Sequence, residues 1–180
     1  KHLTSLTNNL ITLSRMEEER TRLQMIDFPF SDVVEETVQS FQALARTQNK
    51  TFETLIQPMI SLYGDEKSLT QLVSILLDNA MKYSTPKGEI SLRLEKAGNN
   101  VKLSVYTTAD SITREQLPHL FDRFYRTDKS RSSRTGGYGL GLSIAAAVVN
   151  THKGKITATT QDEHSLLITV TLPLKAQGRK

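Results

Sequence analysis

Cysteine is absent from the 180 residues, which excludes disulfides and thiolate metal sites. The four histidines are scattered, and their separations do not suit metal ligands. No apolar run approaches the ~18 residues that a membrane helix needs, so neither a span nor a signal peptide is expected within the sequence. A Walker phosphate loop is also lacking, since no Gly-x-x-x-x-Gly-Lys-Ser/Thr occurs. The formal charge is only +4, without the basic tail that would point to a nucleic-acid partner. The length suits one domain with a short appendage and is enough to bury a real core. The first residue is Lys1 rather than Met, so the sequence is expected to be a piece of a longer protein.

What is present is organised around residues 69–84. Leu69, Leu72, Val73, Leu76, Leu77 and Ala80 recur at the spacing of a helix packed on a core. Asp65 stands where an N-cap belongs, and Ser84-Thr-Pro-Lys-Gly88 ends the helix. At 100° per residue Ile75, Asn79 and Lys82 fall on one flank of the stripe. A carboxamide one turn from an ammonium, beside an apolar wall, can hold a metal ion and its attached phosphates. On this segment alone the pair reads first as border residues of a buried helix.

Upstream, Leu3, Leu6, Leu10 and Leu13 are spaced 3-4-3, the seam of a coiled coil or helical hairpin. A seam this short is not stable alone, so the helix is expected to pair with another segment or chain. Met25-Ile-Asp-Phe-Pro29 reads as extended, with Ser31 as N-cap of an amphipathic helix carrying Val33, Val34, Thr37, Val38, Phe41, Leu44 and Ala45. Residues 51–56 and 59–63 read as strands separated at Gln57-Pro58. Alternating Ile90, Leu92, Leu94 and Val101, Leu103, Val105 flank Gly98-Asn-Asn100, a hairpin with one buried face. After a polar loop and a short helix over 114–120 comes a segment of different character. Between Phe121 and Thr135 stand Arg123, Arg126, Lys129, Arg131 and Arg134 against Asp122 and Asp128. With its serines and glycines this reads as a mobile basic lid behind an aromatic anchor. A helix from about Leu140 to Thr151 and two strands, 155–160 and 166–172, follow. The expected class is α+β, a two-layer sandwich with helices on one face of a mixed, mostly antiparallel sheet.

Gly136-Gly-Tyr-Gly-Leu-Gly141 runs straight into the apolar helix. Glycines let backbone amides approach a ligand, and a helix N-terminus offers unpaired N–H groups and partial positive charge. Beside the basic lid, this reads as a polyphosphate site. It is not a Rossmann fingerprint, because a charged lid rather than a strand precedes it. The lid alone also reads as an ordinary solvated loop.

Three ordered motifs carry a family resemblance. Asp-Asn-Ala-Met-Lys-Tyr-Ser (78–84), Leu-Pro-His-Leu-Phe-Asp-Arg-Phe-Tyr-Arg (117–126) and Gly-Tyr-Gly-Leu-Gly-Leu-Ser-Ile-Ala (137–145) closely resemble the N, F and G2 boxes of bacterial sensor histidine kinases. The likeness covers roughly Asp27 to Pro173 and implies the GHKL ATPase (Bergerat) fold. Residues 3–17 resemble the end of the second helix of the dimerisation and phosphotransfer hairpin. The implied domains are therefore 1–26 for that helix and a linker, 27–175 for an ATP-binding catalytic domain, and 176–180 for a tail. By the same resemblance the cofactors are ATP and Mg²⁺, with Asn79 holding the metal, Lys82 facing the phosphates and Tyr83 flanking the nucleotide. Gly137, Gly139, Leu140 and Gly141 would admit the phosphates to the helix start, and Lys129, Arg131 and Arg134 would neutralise them. The implied partners are a response regulator receiver domain and a second copy joined through the upstream hairpin. The domain would be cytoplasmic in a membrane-bound sensor, reaching the membrane only through upstream segments.

The chain also departs from the family pattern. The G1 box Val-x-Asp-x-Gly-x-Gly-Ile is here Val105-Tyr-Thr-Thr-Ala-Asp-Ser-Ile112. Thr107 thus replaces the Asp that meets the adenine amino group, and Ala109 and Ser111 replace glycines. Losing a charge-assisted hydrogen bond costs ~1–2 kcal/mol, or roughly 5- to 30-fold in affinity. Ile75 stands where the family often has Asn, and His164-Ser165 replaces the last glycine box. No phospho-acceptor motif occurs, and His2 does not match one, so the acceptor histidine is expected upstream. The resemblance implies transfer of the ATP γ-phosphoryl to that histidine for relay to the regulator. The alternative is a degenerate kinase domain with weak or no nucleotide binding that signals structurally. Another GHKL ATPase, an anti-sigma kinase or a chaperone-type clamp, is a third class.

Overall fold

The structure is a computed structural model that describes residues 23–122 and 141–175. Strand β1 (Met25–Pro29) leads into helix α1 (Phe30–Thr47), then β2 (Thr51–Ile56) and β3 (Ser61–Asp65). Helix α2 (Glu66–Tyr83) follows, then β4 (Glu89–Ala97), β5 (Asn100–Thr108) and a short 3₁₀ turn at Leu117–His119. Helix α3 (Gly141–Thr151), β6 (Lys155–Thr159) and β7 (Ser165–Pro173) complete the described elements. Five strands form one sheet in the order β2-β4-β5-β7-β6, and β1 pairs with β3 in a separate two-stranded ribbon. Only β2 and β4 run parallel; the other neighbours in the large sheet are antiparallel. The mixed, mostly antiparallel α+β sandwich is therefore observed.

Register explains the alternation read from the sequence. Leu92 lies across from Val105, which lies across from Ile168; Leu94, Leu103 and Val170 form the next row. All six are buried, because side chains alternate between the faces of a strand. The β4–β5 hairpin closes through Gly98 and Asn99, and Gly98 takes φ +64, a conformation free of steric cost only without a Cβ. Helix α2 buries Leu69, Leu72, Val73, Leu76, Leu77 and Ala80, each large side chain stabilising the fold by about 1.5–3 kcal/mol relative to exposure. Asp65 caps it by accepting from the Ser68 amide at 3.0 Å, and the helix stops at Tyr83 as expected.

Three local expectations are corrected. Helix α1 starts at Phe30 with Pro29 in the cap position, and no side chain caps it. The Ser31 hydroxyl instead donates to the Gln57 carbonyl at 2.7 Å and accepts from the Ile60 amide at 2.9 Å. The start of α1 has another acceptor, since the Phe30 and Ser31 amides donate to the Ile60 carbonyl at 2.9 and 3.3 Å, which leaves the hydroxyl to tie down the turn before β3. The helix expected over 114–120 shrinks to the 3₁₀ turn. Pro118 has no amide to donate, and Arg114 is tied elsewhere. The strand expected at 59–63 is shifted to Ser61–Asp65, because Met59 takes φ +65 in the preceding turn.

Candidate nucleotide site

Helix α2 supplies the wall of the site. Its flank carries Ile75, Asn79 and Lys82, all half-buried. A Cβ built on Gly141 would lie 3.8 Å from Ile75 Cγ2, so the first residue of α3 rests against that flank one turn from Asn79. The start of α3 is thus brought beside the flank of α2 that carries the carboxamide and the ammonium. Lys82 Nζ lies 3.1 Å from Asp78 Oδ2 in a largely solvated i,i+4 pair. Such a pair is worth only about 0.3–0.5 kcal/mol, so the ammonium can turn to an arriving anion at little cost.

The end of β5 reaches the same helix from the other side. Thr107 is 2% exposed, and its hydroxyl lies 3.1 Å from the Ala80 carbonyl and 3.0 Å from the Thr108 carbonyl. Both neighbours can only accept, so the single hydroxyl proton is committed to the backbone and the oxygen is left with lone pairs alone. Thr107 can therefore accept a hydrogen bond from a ligand N–H group but has no proton to donate to one. Ala109 is buried and its amide donates to the His164 carbonyl at 2.8 Å. Tyr83 is also buried, at 6% exposure, within the main core. Lys129, Arg131, Arg134, Gly137, Gly139 and Leu140 lie outside the described residues, as do the leucine seam and His2.

Several contributors escaped the sequence reading. Lys50 sits beyond the end of α1, and its ammonium donates to the carbonyls of Met81 and Ser84 at 3.2 and 3.3 Å. It thereby offsets the negative end of α2, the helix that carries Asn79 and Lys82. No local pattern announces this, since the partners are more than thirty residues away. The altered G1 loop is clasped to the turn between β6 and β7. Ile112 donates to the Glu163 carbonyl at 3.0 Å, and the Arg114 guanidinium donates to the Gln161 carbonyl at 2.7 Å. His164 Nδ1 donates to the Asp110 carbonyl at 2.9 Å. Asp162 shapes that turn by accepting from the His164 amide and the Ser165 hydroxyl, which hold its carboxyl below the usual range. His164 and Ser165, where the family has its last glycine box, thus hold a closed loop.

Among the described residues no cluster of three or more His, Cys, Asp or Glu side chains could hold a metal ion. A lone Asn79 carboxamide suits a hard cation that arrives with phosphate oxygens and keeps most of its own ligands, as Mg²⁺ does. Among the same residues no helix is long and apolar enough to cross a membrane.

Residues 64–176 match the family described as histidine kinase-, DNA gyrase B- and HSP90-like ATPase. The sensor protein DltS of Streptococcus agalactiae serotype III (strain NEM316) is 32% identical over 174 residues, covering 97% of this chain and 44% of its own. The chain therefore spans less than half of that relative. Among solved structures, the histidine kinase AdeS of Acinetobacter baumannii superposes with a TM-score of 0.77 at 25% identity, over 97% of this chain and 79% of its own. The histidine kinase ThkA, solved in complex with the response regulator protein TrrA, superposes with a TM-score of 0.75 at 21% identity, over 98% of this chain and 50% of its own.

Proposed function

The chain belongs to the histidine kinase-, DNA gyrase B- and HSP90-like ATPase family, and we propose that it works as the ATP-binding catalytic domain of a sensor histidine kinase whose acceptor histidine lies on an upstream helix. The observation that carries this reading is the approach of the Gly141 start of α3 to Ile75, on the flank of α2 that also carries Asn79 and Lys82. Phosphoryl transfer asks a protein for alignment and charge neutralisation more than for covalent chemistry. Each residue here has such a task. The amides at the start of α3 and the Lys82 ammonium would attract the phosphates, and the Asn79 carbonyl oxygen would help to hold the Mg²⁺. Bound Mg²⁺ would neutralise charge on the phosphate oxygens. By the resemblance Lys129, Arg131 and Arg134 would neutralise the phosphates, and Gly137, Gly139 and Leu140 would admit them to the helix start. The Thr107 oxygen would accept from the adenine amino group without charge assistance, and Ala109 and Tyr83 would shape the apolar side of the pocket. A receiver domain would take the phosphoryl group in turn, and upstream segments would supply dimerisation and any tie to a membrane.

Isothermal titration of the 180-residue chain with ATP, with and without Mg²⁺, tests this directly. Saturable binding that strengthens with Mg²⁺ is expected. A second reading, a degenerate domain that signals structurally, is favoured by Thr107, Ala109 and Ser111 standing in place of Asp and two glycines. It predicts no binding of ATP under either condition.

A further inference from the structure

The two helices of the site are joined at their far ends by one imidazole. Helix α3 starts beside Ile75 and ends at Thr151, and the next residue, His152, reaches back to Asp65 at the head of α2. The helices therefore run antiparallel over matched lengths, about 15 Å each at 1.5 Å per residue. His152 Nε2 accepts from the Asp65 amide at 3.0 Å, and Nδ1 donates to the Val148 carbonyl at 2.8 Å. Since an amide only donates and a carbonyl only accepts, these contacts require the neutral tautomer with its proton on Nδ1. The ring seats on bare backbone: a Cβ on Gly64 would come within 3.0 Å of His152 Cδ2 and 2.7 Å of Leu69 Cδ1.

Asp65 is itself a junction. Its carboxylate caps α2 through Ser68 and accepts from the Gln24 amide at 3.2 Å, where the chain enters the described domain. We propose that His152 is a positioning residue that sets the angle between α2 and α3, and hence the spacing of Asn79, Lys82 and Gly141, and that its protonation releases this tie. The proposal rests on the nucleotide-site reading above. An imidazolium would direct a second N–H at the Asp65 amide, donor against donor, and would turn instead toward the Asp65 carboxylate. That carboxylate would then be drawn from Ser68 and Gln24, so acid loosens the cap of α2, the end of α3 and the chain entry together. Among the charged groups near the ring, Glu66 and Lys67 in the first turn of α2 and Lys153 next in sequence are exposed. The Asp65 carboxylate is the one that acts on the ring, and it favours the proton. Burial opposes it more strongly and holds the ring below the ordinary histidine value. The tie is therefore whole at neutral pH and is lost as pH falls through that lowered value.

The test is an NMR titration of the whole 180-residue chain between pH 7.5 and 5, alongside Mg-ATP affinity over the same range. The amides of Asp65, Gln24 and Gly141 should shift with the midpoint of the His152 ring. If the protonated form does not bind, the dissociation constant should rise about tenfold one pH unit below that midpoint. His152→Gln, whose amide can accept from Asp65 and donate to Val148 without titrating, should remove this dependence; the ratio to wild type cancels titration of the nucleotide. Asp65 and Gly141 amides that ignore the ring, or an unchanged pH dependence in His152→Gln, would overturn the proposal. Absence of ATP binding at pH 7.5 would instead defeat the nucleotide-site reading, while the amide shifts would still decide the tie.

Discussion

Thr107→Val separates two roles of one hydroxyl. Valine keeps the shape of the side chain and removes its single polar atom. In the free domain the loss is the single proton that the Ala80 and Thr108 carbonyls claim. The Ala80 carbonyl still accepts from the Ser84 amide at 2.9 Å, so it is not orphaned. The stability cost should then be only about 1 kcal/mol, or a fall of about 2–4 °C in Tm for a domain of this size. In the complex the loss is an uncharged acceptor for the adenine amino group, about 0.5–1.5 kcal/mol, so ATP should bind roughly 2- to 13-fold more weakly. Thr107→Asp with Ala109→Gly should act in the opposite sense, with ATP affinity rising roughly 5- to 30-fold. The carboxylate has no proton for Ala80 and enters a position only 2% exposed, so the free double variant should melt lower than the parent. Its gain in Tm on adding Mg-ATP should be the larger. Thermal melts and isothermal titration against ATP and GTP decide the matter. If Thr107→Val melts lower yet binds ATP as tightly as the parent, the hydroxyl is a strut between β5 and α2, and another group reads the base.

Asn79→Ala should abolish the Mg²⁺ dependence of nucleotide binding, and titration with and without the ion checks this. Ser31→Ala strips the buried Ile60 amide of its acceptor and should cost about 1–3 kcal/mol, read as a lower urea midpoint. Gly154→Ala would put a Cβ 2.4 Å from the Thr171 carbonyl oxygen and 2.7 Å from Leu172 Cδ2. The backbone must move, at about 1–3 kcal/mol, so calorimetry should show a lower Tm; an unchanged Tm would mean that β7 yields freely there. Incubated with γ-labelled ATP, the 180-residue chain should remain unlabelled, and acid-labile label on His2 would contradict the absence of an acceptor motif.

The sequence by itself determined the elements whose cause is periodic. The stripe of α2, the alternation of β4, β5 and β7, and the Asp65 cap all follow from neighbours within a few residues. The Ile75, Asn79 and Lys82 flank was legible for the same reason, because 3.6-residue geometry sets which side chains share a face. Tertiary structure alone decided the partners. Ser31 serves a loop 26 residues away rather than its own helix, and Lys50 crosses to the end of α2. His152, one of four scattered histidines, turned out to join α3 to the head of α2. Thr107 was recognisable as a substitution, but only folding disclosed that the Ala80 and Thr108 carbonyls claim its proton and leave it as an acceptor. In each case a buried polar group must find a complement, and no local pattern names a complement that comes from a remote segment.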